Sequence, residues 1–298
     1  MALNPHPSLQ KLALECSQWL ENARKKGKAE QAEAAIQKFL DTPGALHQKA
    51  AGQLNDLALV YDVRSCDAFF RSDIETLAVF VQRAVRLRAL FFRWMGMYSD
   101  MRQDLGNWPR EFSDSMMAMG PSMLSWWNEG SICAQRYIEM AEKDQRINTL
   151  AEMRRIKNAT SDVFAVALFS AGFEIPTRFE PLHPLIPEYR AVLDAWNTDD
   201  QLKFQAAMQV AAEFHISRSR ESTDRQKFEF DATMDRVFPA ELLAIQALRR
   251  KHGLPGFETN HSLIDAPWKI LRDITSVAAF PLAQAVEERL IRDYPQFR

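Results

Sequence analysis

The chain has 298 residues and a formal net charge of −2, long enough to bury roughly 70–75% of its unfolded surface without disulfide or metal staples. Its 10 glycines disfavour a fold built on tight β-turns and glycine-rich phosphate loops, and the near-neutral charge gives no general attraction to nucleic acid or an anionic membrane. Cys16, Cys66 and Cys133 are widely spaced with no Cys-x-x-Cys pair, so they read as small apolar residues in a reducing compartment, not as a disulfide framework or zinc site.

Pro7-Ser8 opens a first helix to about Lys26, with Leu9, Leu12, Cys16, Trp19 and Leu20 on one stripe. Arg24, Lys25, Lys26 and Lys28 surround Gly27 and read as cations closing a helix before they read as a nucleic-acid patch. A second helix runs from Lys28 to Leu40 and a third from Ala45 to Tyr61, with the turn Asp41-Thr42-Pro43-Gly44 between them. No repeat near 34 residues recurs, which excludes a tandem helical array. Asp73 to Trp94 carries two adjacent apolar stripes and so contacts two neighbours; its Arg83, Arg86, Arg88 and Arg93 snorkel, pair with carboxylates or form a face for an anionic partner.

Gly106-Asn107-Trp108-Pro109 breaks the chain. Met116, Met117, Met119 and Met123 with Trp126 and Trp127 fit core packing first and an adaptable recognition surface second. Pro121 to Lys143 and Leu150 to Gly172 read as helices, with Gly130 and Gly172 as points of close approach. The segment 173–187 holds Pro176, Pro181, Pro184 and Pro187 and cannot be helical. It suggests a helical subdomain over 1–172, a connection over 173–187 and a second helical subdomain over 188–298, which can also pack as one body.

Beyond it come a short helix from Ile186 to Trp196 and a longer one to Ile216, capped from Thr198-Asp199-Asp200, with Leu202, Ala206, Val210 and Phe214 at spacing four and Ala207 and Ala211 beside them. A polar stretch, 217–226, follows. Residues 224–236 read as amphipathic, with Phe230, Met234 and Val237 inward and Asp224, Lys227, Asp231 and Asp235 outward. The best-specified helix lies between Pro239 and Gly253: Glu241 complements its positive end, Leu242, Leu243, Ile245 and Leu248 bury it, and Arg249, Arg250, Lys251 and His252 close it. It reads as a core helix with no room for chemistry on its face. Pro267 starts another short helix, and Pro281 to Arg292 a last one. The fold class is therefore all-α, a multi-helix bundle of roughly ten or more helices.

No nucleotide-loop, dinucleotide, nucleophile-elbow or HExxH motif occurs. Two Glu-x-x-His spacings, Glu180 to His183 and Glu258 to His261, fall in proline- or glycine-containing loops. A di-metal bundle needs both ligands projected from helices, so no metal, cofactor or catalytic residue is assigned. His215, near a helix end, reads as a capping or partly buried residue.

The order of residues from His183 to Trp268 resembles the all-helical immunity protein 49 group of bacterial polymorphic-toxin systems. It runs HPLIPEYRAVLDAWNTDD, a helix ending AAEFH, a charged loop, VFPAELLAIQALRRKHGLP, then HSLIDAPW. The likeness covers about the last third of the chain. It implies a cytoplasmic antitoxin, not an enzyme, that binds a cognate secreted toxin and occludes its active site, with no direct nucleic-acid or membrane partner. A carboxylate-rich face would complement a basic toxin cleft. The candidate residues are Asp194, Asp199, Asp200, Glu221, Asp224, Glu229, Asp231 and Asp235, whose alternative reading is ordinary solvated surface and helix caps. A helical scaffold or adaptor, or a di-metal or haem-handling enzyme, are the competing functions.

Overall fold

The computed structural model describes residues 3–44, 47–101, 112–147, 160–274 and 276–297. Straight-chain helix formers dominate, and the described residues form α-helices and no strand. In chain order these are α1 (Gln10–Lys25), α2 (Lys28–Asp41), α3 (His47–Phe70), α4 (Ile74–Met101), α5 (Phe112–Met123), α6 (Trp127–Ile147) and α7 (Ser161–Phe173). After the proline-rich segment follow α8 (Pro187–Leu193), α9 (Gln201–Arg218), α10 (Thr233–Val237), α11 (Ala240–Lys251), α12 (Ser262–Leu271) and α13 (Pro281–Asp293). A single 3-10 turn, Pro7–Leu9, precedes α1. No described helix is long and apolar enough to cross a membrane.

The long helices α3 and α4 pack along each other, α1 and α2 lie against α3, and α5, α6 and α7 extend the stack from α4. The last helices return to this stack: α10 packs on α3, α11 on α5, and α13 on α2 and α4. The buried apolar residues on both sides of 173–187 form one cluster, from Leu9 to Phe297. Arg86 and Arg93 on α4 join Glu129 on α6 and Glu287 on α13 in a closed ring of ion pairs, which ties the chain's last helix to its middle. Met116, Met119 and Met123 are core residues.

At the centre lies α11. Every residue from Ala240 to Arg249 is buried, the fate of a helix apolar around most of its circumference. Gly253 ends it at φ 67°. The Gly253 amide reaches the Arg250 carbonyl at 3.2 Å and the Leu254 amide the Arg249 carbonyl at 2.9 Å, the Schellman closure that a left-handed residue permits. Gly172 of α7 is where α11 comes closest: a Cβ there would sit 2.8 Å from Leu248 Cδ1. Gly172→Val is expected to cost about 1–3 kcal/mol by overpacking, measured by urea unfolding.

Several boundaries depart from the sequence reading. Pro121 does not open a helix; it lies in the last turn of α5, where its missing N–H forgoes one bond, to the Met117 carbonyl, and the helix ends two residues later. The break follows at Ser125 (φ 59°), a left-handed residue where glycine is usual. The Trp126 amide closes it by reaching the Pro121 carbonyl at 2.9 Å. Pro267 lies inside α12, which begins at Ser262 because His261 Nδ1 caps the Leu263 amide. Of 224–236 only the last four residues are helical, in the short helix Thr233–Val237. The Gly106–Pro109 break and the start of the helix expected from Leu150 fall outside the described residues.

Candidate functional site

Two places gather chemistry around α9: a polar network beneath its inner face and an apolar line along its outer face. The inner face is set by Phe204, Met208, Ala211, Ala212 and His215, all buried. His215 stacks on Phe230 with ring centroids 3.9 Å apart. Its Nδ1 meets Glu241 Oε1 of α11 at 2.6 Å, and the Tyr189 hydroxyl of α8 donates to the same oxygen at 3.3 Å. None of the three side chains reaches solvent to a measurable degree. Beside them, Arg88 of α4 donates to Asp235 of α10 at 2.5 Å and to Asp62 of α3 at 3.4 Å. Arg249, also sealed, donates to the carbonyls of Trp196 at 2.6 Å, Thr198 at 3.0 Å and Pro255 at 2.7 Å.

α11 therefore carries Glu241 and Arg249 into the interior, which corrects their reading as charges that only complement the two ends of the helix. A histidine held by a carboxylate is the pairing a general base uses, but a base must also reach the proton it takes. His215, under Phe230, reaches only its neighbours, so this network clamps α8, α9 and α11 together. Burial pushes the Asp62 carboxyl up to about 7 against the pull of Arg88. Asp235 is raised by the same cause, again opposed by Arg88. Asp162 at the start of α7 has no guanidinium beside it; burial takes its carboxyl up to about 7 against the opposing pull of the backbone amides around it.

The eight carboxylates proposed as one face do not form one. Glu229 is 1% and Asp235 2% exposed, so both are corrections: Glu229 pairs with Arg218, and Asp235 with Arg88. A helix running from 224 would turn Asp235 outward, but only Thr233–Val237 is helical, and Asp235 there faces Arg88. Asp194, Asp199, Asp200, Glu221 and Asp224 are exposed, and Asp231 is half-buried. Asp200 caps α9 through the Lys203 amide at 3.1 Å. Glu221 and Asp224 lie past the other end of α9, a helix of 18 residues, about 27 Å away at 1.5 Å per residue.

The apolar stripe read along α9 is divided between its faces: Ala207 and Ala211 are buried, while the rest lies on the outer face. Leu202 is 77% and Val210 51% exposed, with Ala206 exposed between them. Phe214, the fourth member, is half-buried and meets Tyr189 edge-on. Asp199 and Asp200 flank the line at one end, and Glu213, which reaches His261 at 3.2 Å, at the other. Of the two Glu-x-x-His spacings, Glu258 pairs with Lys269 at 3.7 Å and His261 caps α12. Glu180 engages Gln145 through its own backbone. No group of three or more His, Cys, Asp or Glu side chains among the described residues could hold a metal ion.

No protein-family model, no curated protein and no solved structure matches this chain.

Proposed function

We propose that this chain is an antitoxin of the immunity-protein kind, which docks a cognate secreted effector on the outer face of α9 and occludes it. The observation that supports this is the line Leu202–Ala206–Val210. Single exposed apolar residues are ordinary, but three at spacing four form a contiguous strip facing water. The strip has carboxylates at both ends, and an apolar centre within a polar rim is the anatomy of a protein interface. Asp199, Asp200 and Glu213 would favour a basic partner surface and speed its approach. The complex would be one to one, burying ~1,600 Å² or more, and would form in the cytoplasm, where Cys16, Cys66 and Cys133 remain thiols. A scaffold protein could use the same strip, and the identity of the partner separates the two.

Co-expression with the effector encoded beside the gene tests the reading. The parent chain is expected to restore growth. Leu202→Asp combined with Val210→Asp is expected to weaken the complex by about 10- to 100-fold, with unfolding unchanged. Failure of the parent to protect would remove the antitoxin reading, whereas full protection by the double variant would remove only the α9 site.

A further inference from the structure

The buried arginines of this protein are satisfied, with one exception. Arg88 and Arg93 donate to carboxylates, and Arg249 and Arg289 to backbone carbonyls. Arg236 of α10 is 8% exposed, its Nε is closed off from solvent without a partner, and its guanidinium makes no ion pair or hydrogen bond with any described residue. Only its Nε is sealed; the two terminal nitrogens stay open to the cavity described next, so the guanidinium presents donors there that no protein group takes up.

Arg236 lines a cavity of about 430 Å³ between the first turns of the chain and the turn that follows α9. Ser8, Lys11, Ser219 and Arg220 share its walls with Glu15 and Glu221. Glu15 is already engaged by Lys11 at 3.1 Å, and Glu221 makes no pair with Arg236. The cavity also meets the positive end of α1, where Leu9 provides no side-chain cap and the first turn carries no acid. Arginine's planar fork of donors matches an oxyanion with two or more oxygens, and Lys11 and Arg220 add positive charge to the walls.

We propose that this cavity binds a phosphate-class oxyanion, free or as a phosphomonoester, with Arg236 as its principal donor. The site lies past the end of α9 remote from Leu202 and does not depend on what docks on the outer strip.

The test is thermal unfolding and calorimetric titration of the full chain with inorganic phosphate and with glycerol phosphate, against acetate at matched ionic strength. Phosphate is expected to raise Tm by about 2–4 °C at ten times its Kd. Arg236→Met is expected to abolish that rise while unfolding no earlier than the parent without phosphate, since no ion pair or hydrogen bond of the guanidinium is lost. Arg220→Gln, at an exposed position, is expected to weaken phosphate by about three- to tenfold, and this arm decides the matter if Arg236→Met does not fold. Tighter binding of glycerol phosphate than of inorganic phosphate would assign the site to a monoester, and the reverse to the free ion. An equal response to acetate, or an undiminished phosphate response in the variants, would overturn the site.

Discussion

Arg88→Met is expected to destabilise the protein by about 3–5 kcal/mol, seen as a fall in Tm of roughly 6–12 °C. Arg88 is 4% exposed at its side chain and is the cation between Asp62 and Asp235. Methionine fills most of the space but leaves two carboxyls facing each other in the core. The loss should be larger at pH 8 than at pH 5, because protonation relieves the carboxylates once their counter-charge is gone. Replacing all three residues together, Asp62→Leu with Arg88→Met and Asp235→Leu, is expected to recover most of the stability, as buried ion clusters exchanged whole for apolar side chains do. A triple variant as unstable as the single one would show that the loss comes from packing rather than from unpaired charge.

The second large effect runs the other way. Asp162→Asn is expected to stabilise the protein by about 2–4 kcal/mol at pH 8 and by almost nothing at pH 4. Asp162 titrates near 7 in the fold because burial opposes its charge, against about 3.9 in the unfolded chain. Between those values the folded state holds a proton that the unfolded state has released. Its contribution is therefore present below pH 4 and is lost as pH rises through 7. Asparagine removes the titration, so a urea-unfolding series across pH 4–8 should show a flatter profile for the variant. A fall of similar size from Asp62, also near 7, should remain. Parallel profiles for parent and variant would mean that Asp162 is not held neutral in the fold.

The fold was legible where the chain marks its own boundaries. The helix between Pro239 and Gly253 shows its apolar residues, its closing cations and its glycine stop in one continuous run, and it is the buried centre of the structure. The end of α5 was not legible, because a serine at φ 59° does what glycine usually does. α9 defeated periodicity for a different reason. With Ala206, Ala207, Met208, Val210, Ala211 and Ala212 in succession, two stripes at spacing three to four are equally apolar, and only the neighbours choose between them. His215, Glu241 and Tyr189 are up to 52 residues apart. Each has a plausible local role as cap, dipole partner or core ring, and no local pattern announces their meeting. Arg236 was invisible for the same reason: an arginine in a short amphipathic run reads as surface until its surroundings are known.

A photo-crosslinking side chain placed at position 206, between Leu202 and Val210, tests the docking account most directly. Irradiated in cells that also make the effector encoded beside the gene, the protein is expected to give one adduct, with that effector's toxic domain, and to lose it in the Leu202→Asp, Val210→Asp background. Crosslinking that ignores those two substitutions, or an adduct with the effector from the opposite side of the molecule instead, would contradict it.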